Sequence, residues 1–449
     1  MDNWNFIGCY RFGDIEVEIR MIQVDFLKQY KKIGILGIAR SGLAVASKLK
    51  KYGVDIFLSD SKPKESFKDL DLKKYGDGIE FGKHSEKLLQ MDLLIVSPGI
   101  PNNLPILLAA NKKNIPIWSE IEFAYRCTHS DSKIIAITGS NGKSTTVSII
   151  SHVLKKLKYN IILAGNTGKA YSSYNIEKKR DFIVLEISSF QLEFIDKFKP
   201  NVAAILNITP DHLDRYNSFK EYALTKFKIF QNQNEDDIKV VNNECRKYAK
   251  SLENVLYFST KDYVLPHDCI TKLKGVHNYA NIQAALLCLS QYVNQDDFFK
   301  ALRSFRPLEH RLESFVIIKG VEYVNDSKGT NTDSVKYALM SFDKPIHLIL
   351  GGYDKGEDFR VLVEYMKNRV KKLYLIGNTA TQMREIFSHY FDCVLFTSFD
   401  TAVKATIKEA VKGEIVLLSP ACASYDWFKN FEERGNLFKE IVYKEGRKD

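Results

Sequence analysis

From Lys32 onward, short apolar runs alternate with amphipathic helical stretches, and the alternation restarts three times. Apolar runs too short for helices, separated by segments of helical period, form the pattern of largely parallel sheets with crossover helices. The first set holds IGILG (33–37), a helix over Leu43 to Lys51, VDIFLSD (54–60) and LLIVS (93–97). The second begins at IIAITGS (134–140) and continues through a helix from Lys143, then IILAG (161–165), FIVLEIS (182–188) and VAAILNIT (202–209). The third holds VIIKGVEYVND (316–326), IHLILGG (346–352), KLYLIG (372–377) and IVLLSPA (415–421). Strands stop and proline intervenes at PIWSE (116–120) and FRPLEH (305–310). The pattern predicts an α/β chain of three domains, 1–120, 121–306 and 307–449, and 449 residues exceed what one ordinary core accommodates.

Several classes are excluded. No apolar run approaches the roughly 18 residues of a membrane span. The first twenty residues carry acids and lack the apolar stretch of a signal peptide, and Met21 is an alternative start that would leave 1–20 as an extension. The seven cysteines are scattered without a CxxC pair, which suits a reducing cytoplasm. The net charge of +10, from 65 basic against 55 acidic residues, is spread without long basic runs. It fits anionic small molecules better than nucleic acid. The expectation is a cytoplasmic monomer with neither nucleic acid nor membrane as partner.

The strongest motif is IIAITGSNGKSTT (134–146). A β-branched run feeds Gly139, Ser140, Asn141, Gly142, Lys143, Ser144 and Thr145, and an apolar helix follows. Glycines let successive backbone N–H groups face a phosphate. The helix N-terminus and Lys143 add positive charge, and the Ser144 hydroxyl can reach Mg²⁺. The spacing is GxxGKS, two residues shorter than the common GxxxxGKS.

A metal drawn to that loop needs hard oxygen ligands. Glu186 closes the apolar run FIVLE (182–186), where strand C-termini open onto a ligand crevice. In LNITPDHLDRY (206–216), His212 sits in a polar turn, where a lone histidine is more often structural. In the helix that follows, Phe219, Tyr222, Ala223, Lys226, Ile229 and Phe230 form one stripe, so Lys226 belongs to the buried face and Lys220 and Lys228 do not. A buried lysine favours the free amine, which can add CO₂ to form a carbamate. Snorkelling past aromatic neighbours is the blander reading, and the stripe alone leaves it favoured.

Together these segments resemble the Mur ligase family from about Lys32 to Phe438. The resemblance is carried by TGSNGKST (138–145), LEISSFQLE (185–193), NITPDHLDRY (207–216), GVHNYANIQAA (275–285), LEHRLE (308–313), NDSKGTN (325–331) and VLLSPACASYDWFKNFEERGN (416–436). It implies a Rossmann-like UDP-binding domain, a central P-loop ATPase-like domain with a mixed or parallel sheet, and a Rossmann-like C-terminal domain. It also implies an ATP-dependent, ADP-forming ligase of peptidoglycan synthesis. Lys143 and Ser144 then hold the ATP phosphates and one Mg²⁺, with Glu186 as its carboxylate ligand. His212 and a carbamylated Lys226 match a second Mg²⁺ site. Asn278 and Asn281 match nucleotide contacts, Arg311 a phosphate contact, and Asp326, Lys328 and Thr330 the surroundings of ribose and adenine. Asn166 and Ser188 line the side of the site that receives the acyl substrate.

The first-domain turn GIARSG (37–42) has Ala39 in place of the middle glycine of GxGxxG. The resemblance puts Ser41 at the diphosphate of UDP, Asp60 and Ser61 near uracil, and Ser97 in the same pocket. Lys355, Ser424 and Phe431 match a D-glutamate pocket, although Tyr353 and Gly356 beside Lys355 depart from the family pattern. The implied reaction adds D-glutamate to UDP-N-acetylmuramoyl-L-alanine through an acyl phosphate. The competing readings are a Mur-type ligase for another amino acid, a dehydrogenase using GIARSG, and a non-catalytic nucleotide switch. A dehydrogenase leaves GSNGKS unexplained, and a switch has no use for a carbamate-competent Lys226.

Overall fold

The computed structural model describes residues 25–210, 215–259, 273 and 276–446. Strands β1 (Lys32–Leu36), β2 (Asp55–Asp60), β3 (Gly78–Phe81), β4 (Leu93–Val96) and β5 (Ile117–Ser119) form a parallel sheet in the order 3-2-1-4-5. The first crossover helix, α1 (Arg40–Leu49), follows the GIARSG turn. Next come β6 (Lys133–Thr138), β7 (Ile161–Gly165), β8 (Phe182–Glu186), β9 (Val202–Ile205), β10 (Ile238–Asn242) and β11 (Val255–Phe258), ordered 11-10-9-6-8-7. Every pairing in this second sheet is parallel, so the choice left open between mixed and parallel falls to parallel.

The third sheet comprises β12 (Glu313–Ile318), β13 (Val321–Asn325), β14 (Ile346–Gly351), β15 (Val370–Ile376), β16 (Cys393–Leu395) and β17 (Ile415–Leu418), ordered 12-13-17-14-15-16. Only β12 runs antiparallel. The single run expected over 316–326 is in fact two strands, reversed at Lys319 and Gly320, whose φ angles are 49° and 81°. Positive φ at both central residues gives the turn a twist that matches paired strands, and apolar periodicity does not report it.

One continuous apolar core joins the first two sheets, taking in Ile33, Val45 and Ile95 with Ile134, Ile183 and Phe198. The cores on the two faces of the third sheet contain only residues from its own part of the chain. Just before β17, inside that sheet, Glu414 accepts from Lys371 Nζ (2.5 Å) and Val411 N (2.9 Å) and pairs with His347 Nε2 (2.8 Å). Burial raises its pKa, but these partners outweigh that effect and hold it at about 2, against an ordinary 4.5. A depressed carboxylate stabilises the fold above its unfolded pKa and loses that contribution as pH falls through the folded one. Wild type is therefore expected to lose on the order of 2 kcal/mol between about pH 4.5 and 2 from this group. In urea unfolding as a function of pH, Glu414→Gln is expected to be weaker at neutral pH and flatter across that window; a parallel, undisplaced profile contradicts the assignment.

Candidate active site

The crevice opens where the second sheet's order reverses, at the C-terminal end of β6 between β8 and β9. The chain leaves β6 at Gly139 and enters α2 (Lys143–Lys156) through Gly142, whose φ is 85°. A Cβ on Gly142 would overlap the side-chain oxygen of Asn281, so both the dihedral and the close approach require glycine. The loop is pinned on the β9 side: Asn141 N donates to Asn207 Oδ1 (2.8 Å), and the Ser140 hydroxyl donates to the Thr209 carbonyl (3.0 Å).

Two lysines meet on this loop. Lys143 donates to the carbonyls of Gly139 (2.7 Å) and Ser140 (2.8 Å). Lys226 donates to the same Gly139 carbonyl (3.1 Å) and lies 4.6 Å from the Tyr222 ring centroid. It belongs to α3 (Phe219–Phe227) and is 2% exposed, while Lys220 is exposed and Lys228 half-buried. The stripe places Lys226 on the buried face as expected, though Lys228 is less solvated than the pattern indicates. It donates to the Glu193 carbonyl (3.1 Å), and burial lowers its pKa.

Glu186 ends β8 beside them, also 2% exposed. Its Oε1 accepts from Asn166 Nδ2 (2.9 Å), and its Oε2 is buried without a hydrogen-bond partner. Burial alone would raise this pKa, but Lys143, the Ser144 hydroxyl, Asn166 and Arg311 hold it below the ordinary carboxylate range. An ionised, buried oxygen without a donor is what a cation would complete. Among the described residues no group of three or more His, Cys, Asp or Glu could hold a metal alone.

The third part of the chain closes the crevice from the other side. Arg311 is half-buried and donates to the Ser144 hydroxyl (2.9 Å), while its buried Nε has no partner. Burial lowers its pKa and pushes Asp326 up to about 7, although Ser419 Oγ (2.7 Å) and Leu312 N (3.2 Å) donate to the Asp326 carboxylate. Lys328, 4.6 Å from the Phe431 ring centroid, is lowered to about 8 by burial and then by Arg311. Asn141 bridges the same gap, donating to Asp333 (2.9 Å) and accepting from Asn331 (3.3 Å) and Ser334 (3.2 Å).

Two adjoining cavities result. One is lined by Gly142, Thr145, Asn278, Asn281, Asp326 and Tyr337. The other runs from Lys143, Asn166 and Glu186 to Thr330, Lys355, Ser424 and Phe431. Arg311 and Lys328 line both. Ser188 is not among the lining residues; its hydroxyl caps a short helix by accepting from Gln191 N (3.3 Å). His212 lies outside the described residues.

The first-sheet residues gather at a separate turn. Asp60 accepts from Ile38 N (2.7 Å) and Lys62 N (2.9 Å), and Ser97 Oγ donates to the Gly37 carbonyl (3.0 Å). Ser41 is half-buried at the start of α1 and Ser61 is exposed beyond β2. Two arginines absent from the sequence reading tie this region to the crevice. Arg215 donates to the carbonyls of Pro98 (2.9 Å) and Ile100 (2.7 Å), and Arg40 to those of Gly168 (2.6 Å) and Asn166 (3.2 Å). A charged residue inside GIARSG was the available signal for Arg40; Arg215 had none beyond its place in DHLDRY.

Comparison with known proteins covers the same three parts. Residues 31–119 match the family model described as Mur ligase MurD-like, N-terminal domain. Residues 137–264 match the Mur ligase middle domain, and 310–422 the Mur ligase, glutamate ligase domain. The chain is 39% identical over 445 residues to a UDP-N-acetylmuramoylalanine–D-glutamate ligase from Koribacter versatilis, covering 92% of this chain and 97% of that one. A protein of the same name from Bacteroides fragilis is 39% identical over 443 residues, covering 92% and 99%. Among solved structures, MurF ligase from Thermotoga maritima in complex with ADP superposes with a TM-score of 0.60 at 18% identity, covering 87% and 95%. UDP-N-acetylmuramate-alanine ligase MurC from the same organism gives 0.56 at 19%, covering 92% and 99%. At these identities the structural matches speak for the fold.

Proposed function

The chain belongs to the Mur ligase family, and we propose that it joins D-glutamate to the carboxylate of UDP-N-acetylmuramoyl-L-alanine with cleavage of ATP to ADP and phosphate, a step of peptidoglycan precursor synthesis. The observation that carries the reading is the meeting of Lys143, Glu186 and Arg311 with Lys355, Ser424 and Phe431 around one cavity. The domain boundaries fall after residues 120 and 306. The enzyme works as a monomer in the cytoplasm; no helix among the described residues is long and apolar enough to cross a membrane.

Each residue's part follows from its chemistry. The substrate carboxylate and the triphosphate are both anionic, so bringing them together requires fixed positive charge. Lys143 and Arg311 supply it from opposite walls. The carboxylate oxygen forms a bond to the γ-phosphorus as the bridge to the β-phosphate breaks, giving an acyl phosphate and ADP. The D-glutamate amine then attacks the acyl carbon, loses a proton, and inorganic phosphate departs. Lys355 faces the amino acid's carboxylates, Ser424 donates a hydrogen bond to them, and Phe431 walls the pocket. Asn278, Asn281, Asp326 and Lys328 hold the nucleoside, Thr330 faces the adjoining cavity instead, and Ser41, Asp60, Ser61 and Ser97 hold the UDP end. Ser188 shapes the acyl side through its helix cap.

Magnesium, when bound, neutralises the phosphate charge that builds up during transfer. Ser144 and Glu186 suit one ion, the unpartnered Oε2 of Glu186 being the observation in favour. Lys226, carbamylated, and His212 would hold a second. A buried lysine pointed at the phosphate loop is the right precursor for the modification, since the carbamate turns a cation into an anionic oxygen donor.

The direct assay follows ADP release from ATP, Mg²⁺ and UDP-N-acetylmuramoyl-L-alanine with a panel of D- and L-amino acids. Turnover with D-glutamate is expected; turnover only with another amino acid, release of AMP, or nucleotide binding without turnover would each overturn the reading.

A further inference from the structure

The proposed substrate is long: its uridine diphosphate end belongs at the 37–42 turn and its reacting carboxylate beside Glu186 and Lys143. Something must fix the separation of these two places, because misplacement by about 1 Å can cost on the order of a hundredfold in rate. The shared core under the first two sheets holds them together at depth, but at the rim the contact is polar. There Arg40, the first residue of α1, extends its guanidinium across the boundary to the carbonyls of Gly168 (2.6 Å) and Asn166 (3.2 Å). The loop it grips is anchored at its other side to Glu186: Asn166 N donates to the Glu186 carbonyl (2.8 Å) and Asn166 Nδ2 to Glu186 Oε1 (2.9 Å). Further along α1, Lys48 donates to the Tyr174 carbonyl (2.9 Å) and pairs with Glu177 (2.7 Å), so the helix is docked over its length. An exposed arginine in a surface ion pair contributes little. Arg40 differs because its acceptors are backbone carbonyls of another sheet's loop, taken as a fork that lysine cannot reproduce.

We propose that Arg40 is a positioning residue that links the turn for the substrate's diphosphate to the loop orienting Glu186, and so sets where the substrate carboxylate meets the phosphate site. This rests on the ligase reading above.

The test uses the full-length chain with Arg40→Ala, Arg40→Gln and Arg40→Lys. Steady-state kinetics are measured together with calorimetric binding of UDP-N-acetylmuramoyl-L-alanine in the absence of nucleotide, and with thermal unfolding. For Arg40→Ala, kcat is expected to fall about ten- to a hundredfold, while the dissociation constant changes less than about threefold and the unfolding midpoint stays put. Arg40→Lys, keeping charge and one donor direction, should recover part of the lost kcat. If alanine prevents folding, the glutamine and lysine variants carry the comparison. A kcat within about twofold of wild type overturns the proposal, as does affinity lost in step with kcat, which makes Arg40 a plain binding group. An unfolding midpoint that drops with the activity also overturns it, making the contact merely structural. A wild-type chain that releases no ADP with both substrates instead removes the ligase reading, and the inference with it.

Discussion

Replacing Lys143 by alanine is expected to lower kcat by about a thousandfold or more while the protein stays folded. The ammonium sits at the N-terminus of α2, where the helix dipole already favours an anion, and it is the full charge that the loop adds. In the described state it is parked on the Gly139 and Ser140 carbonyls, contacts that a phosphate would replace. Removing one preorganised group aimed at developing charge typically costs a factor of 10² to 10³, and phosphoryl transfer depends on such groups more than on covalent chemistry. Glu186 should lose its principal attractive neighbour at the same time, so its pKa should rise in the variant. Steady-state ADP release and circular dichroism check the result. A loss below about tenfold would mean that the phosphates bind elsewhere.

The second large effect is expected at Lys226. Lys226→Ala should reduce turnover by about a hundredfold or more, in keeping with the several kcal/mol a metal contributes to charge stabilisation. Lys226→Arg should fare no better, because a guanidinium, effectively always protonated, offers no free amine to CO₂. Wild-type activity should decline in CO₂-depleted buffer and return with bicarbonate, whereas both variants should ignore bicarbonate. The competing account keeps Lys226 as an amine whose whole task is its 3.1 Å hydrogen bond to the Gly139 carbonyl. That account expects bicarbonate to change nothing and arginine to retain most of the activity.

Much of this site was legible in the sequence because its parts follow local rules. A β-branched run entering a glycine-rich turn and then a helix fixes where Lys143 stands, and a helical stripe fixes which of three lysines is buried. What was not legible depends on how separate sheets dock. Asn141 was read as a loop residue, but its side chain reaches Asp333, Asn331 and Ser334 across the crevice. Arg40 and Arg215 ended on carbonyls of distant loops, which no periodicity encodes. Ser188 was assigned by resemblance to the acyl side, while its hydroxyl is engaged with Gln191 in a helix cap. The Lys319–Gly320 reversal shows the same limit, since an unbroken apolar run reads alike as one strand or two.

The division of the core bears on how the enzyme works. The first two sheets share one apolar core, whereas the third meets them at the crevice through polar contacts from Arg311 and Asn141. Among the described residues the third part therefore shares no apolar core with the other two, and polar side chains make the contact across the crevice.

The most direct measurement labels the carboxylate of UDP-N-acetylmuramoyl-L-alanine with ¹⁸O and follows the label during turnover with ATP and D-glutamate. A carboxylate oxygen that attacks phosphorus leaves with it, so the account requires one labelled oxygen in the inorganic phosphate released per amide formed. Phosphate free of label, with the amide still made, would mean that the carboxylate is never phosphorylated and that the meeting of Lys143, Glu186 and Arg311 serves some other chemistry.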